Sequence, residues 1–106
     1  MRPQEKEELV RIIAEIEGFI VENGGIFSDW YVGITANIKW RLHGYHNVKD
    51  TSVFVKSPSI EFAHIIQRYF IEVRKTDGDI TGKDDGSFCV YAYKKRKHTK
   101  ENDEKG

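Results

Sequence analysis

Residues 30–45, WYVGITANIKWRLHGY, decide the fold of this chain. Residues 26–35 are predicted to be extended, and the alternation over residues 30–35 gives this segment an apolar face and an opposite face that carries Tyr31 and Gly33. Thr35 is a suitable N-cap, so a short helix is expected over about residues 36–46. The stretch therefore predicts a strand, a turn and a helix in immediate succession.

The predicted helix carries a guanidinium and a phenol one turn apart, at Arg41 and Tyr45. Together with Tyr31 they form a set of groups suited to holding a phosphodiester, because a guanidinium binds phosphate through a planar, bidentate fork. Gly33, which lacks a side chain, allows a substrate or a neighbouring backbone to approach the sheet. Each residue taken singly is also an ordinary structural residue.

On either side of this stretch, hydrophobic periodicity and turn residues predict four further elements: one helix before it and three elements after it. An amphipathic helix over residues 4–22 ends at Asn23, and the remaining elements are a strand over 51–56, a helix over 58–74 and a strand over 87–93. The cap of the helix over 58–74 is predicted to be Ser57, and Pro58 its first residue. We expect an α/β (α+β) fold: a small, three-stranded, mainly antiparallel sheet flanked by helices. Residues 1–93 form one domain, and residues 94–106 are predicted to be a basic, charged, disordered tail.

The composition argues against a disulfide-bonded or membrane-spanning protein, and it does not by itself indicate a nucleic-acid partner. With 17 basic and 17 acidic residues, the net charge does not indicate a nucleic-acid partner, although the basic run KKRKHTK begins at Lys94. Such a run is also typical of a solvated terminus. The single cysteine, Cys89, cannot form an internal disulfide, and neither a signal peptide nor a membrane-spanning run is visible. We expect a cytoplasmic protein without membrane association.

The stretch resembles the GIY-YIG nuclease domain. The tripeptide Tyr31-Val32-Gly33 stands where the second signature tripeptide of that family stands, and Arg41 and Tyr45 match the arginine and tyrosine of its helix. The sequence SIEFAHIIQRYF, residues 59–70, is similar to a later helix of the family. In that helix an alanine is followed four residues on by a glutamate that binds a metal ion.

The resemblance implies a metal-dependent phosphodiesterase in which a tyrosine orients or deprotonates water and Mg²⁺ or Mn²⁺ stabilises the leaving oxygens. Four residues after Ala63, however, the chain has Gln67. A neutral amide lacks the charge that holds a hard cation, so no metal ligand is assigned. The resemblance therefore implies a domain that binds nucleic acid with impaired or absent hydrolysis. The residues in catalytic positions are Tyr31, Arg41, Tyr45, Gln67 and Tyr91. An alternative reading of Gln67 is a border residue hydrogen-bonded to the backbone.

The first signature tripeptide of the family is irregular in this chain. Gly25-Ile26-Phe27 has phenylalanine where a tyrosine is expected, and it lies too close to Trp30 for a hairpin. We expect the C-terminal strand to replace the missing strand beside Tyr31, as in a circularly permuted sheet. Either Tyr91 or Tyr93 would then supply the missing phenol.

Several other residues are candidates for binding. His46, next to Tyr45, is a candidate proton carrier at the substrate site, and Lys83 could reach phosphate from a Gly/Asp-rich loop over residues 75–87. The same loop resembles the first half of a calcium site, but its twelfth position is Phe88. A different function is also open: a non-catalytic protein-interaction module in which the apolar stripe of the first helix and the basic tail contact a protein partner. A third is an active nuclease that uses another carboxylate.

Overall fold

The computed structural model describes residues 2–78 and 89–101. Its elements are, in chain order, α1 (Pro3–Glu22), a 3-10 turn (Phe27–Asp29), β1 (Trp30–Thr35), a π-helix (Trp40–Tyr45), β2 (Ser52–Lys56), α2 (Ile60–Glu72) and β3 (Cys89–Lys94). The predicted fold class, an α+β domain with a small antiparallel sheet, is confirmed.

The last strand in sequence, β3, is the central strand of the sheet. It pairs antiparallel with β1 on one side and with β2 on the other. Across β1 and β3, Tyr31 lies opposite Tyr93 and Gly33 lies opposite Tyr91. The predicted pairing of the C-terminal strand beside Tyr31 is therefore confirmed.

The two helices cover one face of the sheet. Pro3 fits the first turn of α1, where a backbone N–H would have no partner, and the helix ends where the Gly25 N–H donates to the Ile20 carbonyl (2.9 Å). The apolar stripe of α1 packs with α2 and with the apolar side of the strands. The fully buried members of this helix-side core are Ile12, Ile16, Ile20, Trp30, Val32, Ala63, Ile66, Phe70, Val90 and Ala92. The stripe that we considered as a partner surface is thus inside the domain.

The opposite face of the sheet, called the aromatic face below, carries Tyr31, Tyr91 and Tyr93. Leu42 of the π-helix and Val48, just beyond its end, are buried against these rings. The alternation predicted for β1 is correct, because its even-numbered residues enter the helix-side core while Tyr31 belongs to the second cluster.

Three predicted element starts are wrong in detail. The segment predicted as an ordinary helix over 36–46 contains a π-helix, in which the His46 N–H donates to the carbonyl of Arg41 five residues earlier (2.9 Å). Asn37, rather than Thr35, caps this segment by accepting a hydrogen bond from the Trp40 N–H (3.1 Å). Thr35 instead accepts from the Asn37 N–H (3.1 Å).

Helix α2 begins later than predicted, at Ile60. Ser59 is its N-cap, and the hydroxyl of this serine accepts a hydrogen bond from the Phe62 N–H (3.2 Å). Ser57 and Pro58, which we predicted as the cap and the first helical residue, precede the helix. Similarly, the extended segment expected from Ile26 begins only at Trp30, because a 3-10 turn intervenes.

The C-terminal segment (residues 95–101) packs against the domain, although we expected disorder there. The Lys100 N–H donates to the His46 carbonyl (2.8 Å). The side-chain amide of Asn47 donates to the His98 carbonyl (2.9 Å). These bonds join the segment to the residues that follow the π-helix, so the segment forms part of the aromatic side of the domain.

Candidate functional site

A fully buried histidine, His46, lies at the centre of the aromatic face. Its ring centroid is 4.8 Å from the centroids of Tyr31 and Tyr45, 5.5 Å from Tyr91 and 4.9 Å from Tyr93. These are four of the five tyrosines in the chain. The sequence-predicted residues of β1, the π-helix and β3 are therefore brought together around one imidazole.

Both ring nitrogens of His46 take part in hydrogen bonds. The Lys100 carbonyl can only accept, so we assign the proton to Nδ1, which donates to it. Nε2 then accepts the hydroxyl proton of Tyr91 (2.7 Å). The Tyr93 hydroxyl lies 3.0 Å from Nδ1 and donates to the Glu101 carboxylate (2.9 Å). The network holds His46 as a neutral imidazole.

Burial sets the protonation states of this network. Burial, with a smaller contribution from the nearby Arg41 charge, lowers the pKa of His46 to about 4, while the hydrogen bond to the Lys100 carbonyl and the charge of Glu101 oppose the shift. Burial also raises the pKa of the Tyr91 and Tyr93 hydroxyls well above the ordinary range. At neutral pH the imidazole is uncharged and both phenols are protonated. None of these groups carries the charge of a phenolate or an imidazolium.

Gly33 is required by a side chain of the neighbouring strand. A Cβ at this position would overlap the hydroxyl end of the Tyr91 ring, which lies directly over the glycine. From there the Tyr91 hydroxyl donates to His46. The space that we predicted for a substrate or a neighbouring backbone is therefore filled by Tyr91. The glycine contributes to the site indirectly, because it allows the Tyr91 hydroxyl to reach the imidazole.

The π-helix arranges three side chains at the border of the aromatic face. Its wider turn brings residue i close to residue i+5, and the rings of Trp40 and Tyr45 are 5.7 Å apart. The Arg41 guanidinium carbon lies 4.7 Å from the Tyr45 ring centroid and 5.5 Å from that of Trp40. Both distances are within the range of cation–π contacts. The predicted pairing of Arg41 with Tyr45 is thus present, with Trp40 as an additional member.

Arg41 differs from the other arginines in its partners. Each of the other five pairs with a carboxylate, in the pairs Arg2–Glu5, Arg11–Glu8, Arg68–Glu72, Arg74–Glu17 and Arg96–Asp50. Among the described residues Arg41 has no such partner, and its Nε is buried without a hydrogen bond. Its charge is nevertheless close enough to oppose the rise in the Tyr91 pKa. A half-buried guanidinium without a carboxylate is a suitable site for an anion.

Gln67 is occupied by a backbone contact. Its side chain is buried, and Nε2 donates to the carbonyl of Val32 at the outer edge of β1 (3.2 Å). On the same edge Asp77 forms a short parallel bridge, in which the Val32 N–H donates to its carbonyl (3.0 Å). The amide thus continues the hydrogen bonding of this edge. The alternative reading, a residue hydrogen-bonded to the backbone, is confirmed, and a carboxylate here would face the Val32 carbonyl.

The remaining predictions concern metals and the Gly/Asp-rich loop. Lys83 and most of the calcium-like loop lie outside the described residues. Of the part that is described, Asp77 accepts from the Gly78 N–H (2.9 Å) and pairs with Lys95 (3.4 Å). In residues 2–78 and 89–101, no three His, Cys, Asp or Glu side chains are grouped as metal ligands.

Sequence reasoning missed two contributors to the site. Trp40 was omitted because an ordinary helix would not place it beside Tyr45, which is five residues away. Glu101 was omitted because it belongs to the segment expected to be disordered. A sequence signal for Trp40 does exist, namely Gly44, since a Cβ there would lie 3.1 Å from the indole.

Comparison of the chain with protein-family models, with curated proteins and with solved structures finds no match. No helix in the described part of the chain combines the length and apolar character needed to cross a membrane.

Proposed function

We propose that this domain binds the phosphodiester backbone of nucleic acid through Arg41 without hydrolysing it. The observation that carries the proposal is that Arg41 alone among the arginines lacks a carboxylate partner in the described residues, although its Nε is buried. The guanidinium is half-buried against the rings of Trp40 and Tyr45, and these cation–π contacts leave its outer nitrogens without a carboxylate partner in the described residues. A phosphate oxygen at those nitrogens would form a charge-assisted hydrogen bond.

The charges around Arg41 favour an anionic ligand. Lys39 is exposed two residues earlier on the same segment, and Lys97 and Lys100 are exposed on the C-terminal segment that is hydrogen-bonded to His46. The acidic outer surface of α1 covers the opposite side of the sheet. Binding to nucleic acid would release counterions from these contacts and would therefore weaken with salt.

The state of the Tyr91 phenol supports binding without cleavage. A tyrosine that deprotonates water needs a pKa close to neutrality, whereas burial raises the pKa of Tyr91. Its hydroxyl also donates to Nε2 of His46. Gln67, at the position expected for the metal-binding glutamate, donates to the Val32 carbonyl. Both features favour a degenerate site over a metal-dependent nuclease.

In this proposal, the resemblance to GIY-YIG nucleases reflects descent from a nuclease of that family. Its support is the pairing of Gly33 with Tyr91, which sets a tyrosine from the C-terminal strand beside the tripeptide of β1. In this hypothesis β3 replaces the first strand of the family. The site would have kept phosphate affinity and lost turnover.

Fluorescence anisotropy with labelled DNA and RNA oligonucleotides tests the proposal. We expect affinity to fall with rising salt, and Arg41→Ala to weaken binding roughly tenfold or more at low salt, the size of a lost charge-assisted hydrogen bond. The matched control is Arg68→Ala on α2, which removes an equal charge from the helix side. Equal affinities for the two variants would contradict the proposal.

A cleavage assay separates binding from turnover. The same oligonucleotides are incubated with Mg²⁺ or Mn²⁺ and the protein, and we expect intact substrate. A product that forms with the parent protein and disappears with Arg41→Ala would show an active nuclease and overturn the binding-only function.

A further inference from the structure

The indole of Trp40 is exposed, which is unusual for the largest aromatic side chain. Its residue surface is 54% accessible, whereas Trp30, the other tryptophan, is completely buried. Tryptophan is highly buried on average, and it is enriched at binding interfaces, where it supplies a large apolar contact area. The exposure of Trp40 is not explained by packing of the fold.

Local structure holds this exposed ring in place. Tyr45 contacts it at an interplanar angle of 40°, and the Arg41 guanidinium carbon lies 5.5 Å from its centroid. Gly44 lies under the indole, since an added Cβ would be only 3.1 Å from Cδ1. The ring is therefore supported by three neighbours while more than half of the residue surface remains in water.

The exposed indole and the Arg41 guanidinium beside it determine what kind of ligand fits. A flat, exposed π-surface next to a guanidinium without a carboxylate offers stacking and phosphate binding within one short segment. Base stacking on an aromatic ring is tolerant of sequence, because every base has a π-face, and a neighbouring arginine adds to it. In a duplex the faces of the bases are already stacked on each other, so only an unpaired base can use the indole.

We propose that an unpaired base stacks on Trp40 while Arg41 contacts an adjacent phosphate, so that the ligand is single-stranded DNA or RNA. This inference rests on the proposed function and names its substrate class. Arg41 supplies phosphate affinity that any polynucleotide shares, and Trp40 supplies the preference for single strands.

Three probes of equal length test the inference: a single-stranded DNA, the corresponding duplex and an abasic deoxyribose-phosphate oligomer. We expect the single strand to bind more tightly than the other two and to quench tryptophan fluorescence. The quenching reports Trp40, because Trp30 is inaccessible. Trp40→Ala should weaken binding of the single strand about 5- to 100-fold and should weaken binding of the abasic oligomer, which has no base to stack, by much less.

Two further measurements keep the result interpretable. Trp40→Phe retains a smaller ring and should show an intermediate affinity, and circular dichroism melts of both variants check that the fold is intact. Equal binding of the three probes, with Arg41 dependence, would overturn the stacking inference and leave the proposed function standing. A failure of these three probes and of the labelled RNA oligonucleotide to bind at low salt would overturn both.

Discussion

Gly33 and Tyr91 face each other across β1 and β3, and the ring of Tyr91 occupies the volume that a side chain at position 33 would need. Gly33→Ala should therefore lower the free energy of unfolding by about 1–3 kcal/mol, because the new methyl group displaces a buried ring. Urea denaturation measures the change. The displacement should also disturb the hydrogen bond between Tyr91 and His46.

Gly18→Ala is the matched control for this glycine. Gly18 lies in α1 with open space where the new methyl group would lie, so alanine should raise stability by about 0.5–1 kcal/mol through helix propensity alone. In the Tyr91→Ala background Gly33→Ala should cost much less than in the parent protein. A loss of the same size in both backgrounds would contradict the contact.

Replacing Gln67 by glutamate should destabilise the domain and should not restore cleavage. The amide donates to the buried Val32 carbonyl, and a carboxylate would place two acceptors together, at a cost of about 2 kcal/mol or more. Gln67→Met removes the hydrogen bond without adding a charge and should cost less. Thermal or urea unfolding of both variants measures the difference.

The pH dependence of the unfolding free energy identifies why Gln67→Glu is less stable than the parent protein. Protonation gives the introduced carboxyl a donor for the Val32 carbonyl, so the penalty of Gln67→Glu should shrink as the pH is lowered from roughly 8 to roughly 5, towards the ordinary glutamate range. The penalty of Gln67→Met should not change in this way. A Gln67→Glu variant as stable as the parent in mild alkali, or one that cuts DNA with Mg²⁺, would contradict the structural role of Gln67.

The buried imidazole of His46 predicts a loss of stability in mild acid. Its pKa is about 4 in the folded domain and close to the ordinary 6.5 when unfolded. Between these values the unfolded chain binds the additional proton, so the His46 contribution is complete above pH 6.5 and is lost as the pH falls towards 4. The full contribution is about 3 kcal/mol. Urea titrations across this pH window measure it.

His46→Gln is the reference for this titration, since an amide can donate to the Lys100 carbonyl and accept from Tyr91 but does not titrate. The difference in unfolding free energy between parent and variant should decrease on acidification through the window from 6.5 to about 4. The other histidines and the carboxylates contribute equally to both proteins. A difference that is constant over this window would show that His46 is not held neutral.

Docking of the C-terminal segment depends on Asn47. Its amide donates to the His98 carbonyl, and its φ of 58° is a conformation that glycine adopts without strain. Asn47→Gly should therefore keep the turn, lose about 1 kcal/mol of docking energy, and speed tryptic cleavage after Lys97 and Lys100. Limited proteolysis followed by mass spectrometry measures the rates.

Lys75→Gly is the matched control, because Lys75 has a similar φ of 66° at an exposed position away from the segment. It should leave cleavage after Lys97 and Lys100 unchanged. Equal cleavage rates for parent and Asn47→Gly would show that the Asn47 amide does not hold the segment.

Periodicity in the sequence was sufficient to predict the layers of this fold. The alternation in β1 correctly separates Trp30 and Val32 from Tyr31, and the isoleucine spacing of α1 correctly identifies its buried side. These patterns are set by burial, which acts residue by residue along an element. The pairing of β3 with β1 was predicted because the irregular first tripeptide left Tyr31 without the strand that the family has beside it.

Features that depend on contacts between distant residues could not be predicted in the same way. The π-helix is wider than the helix that periodicity assumes, so the contact between Trp40 and Tyr45 was missed. The C-terminal segment is as charged as a disordered tail, yet backbone groups of Lys100 and His98 hold it. Backbone hydrogen bonds leave no trace in side-chain composition.

The central position of β3 has a consequence for how the chain folds. β1 and β2 are hydrogen-bonded to β3 and not to each other, so during synthesis both must wait for Cys89–Lys94 to leave the ribosome. The backbone hydrogen bonds within α1 and α2 are local, so these helices can form earlier. The sheet is closed by contacts of long sequence separation, which slow folding and leave strand edges uncovered in the nascent chain. The aromatic face, completed by Lys100, is assembled last.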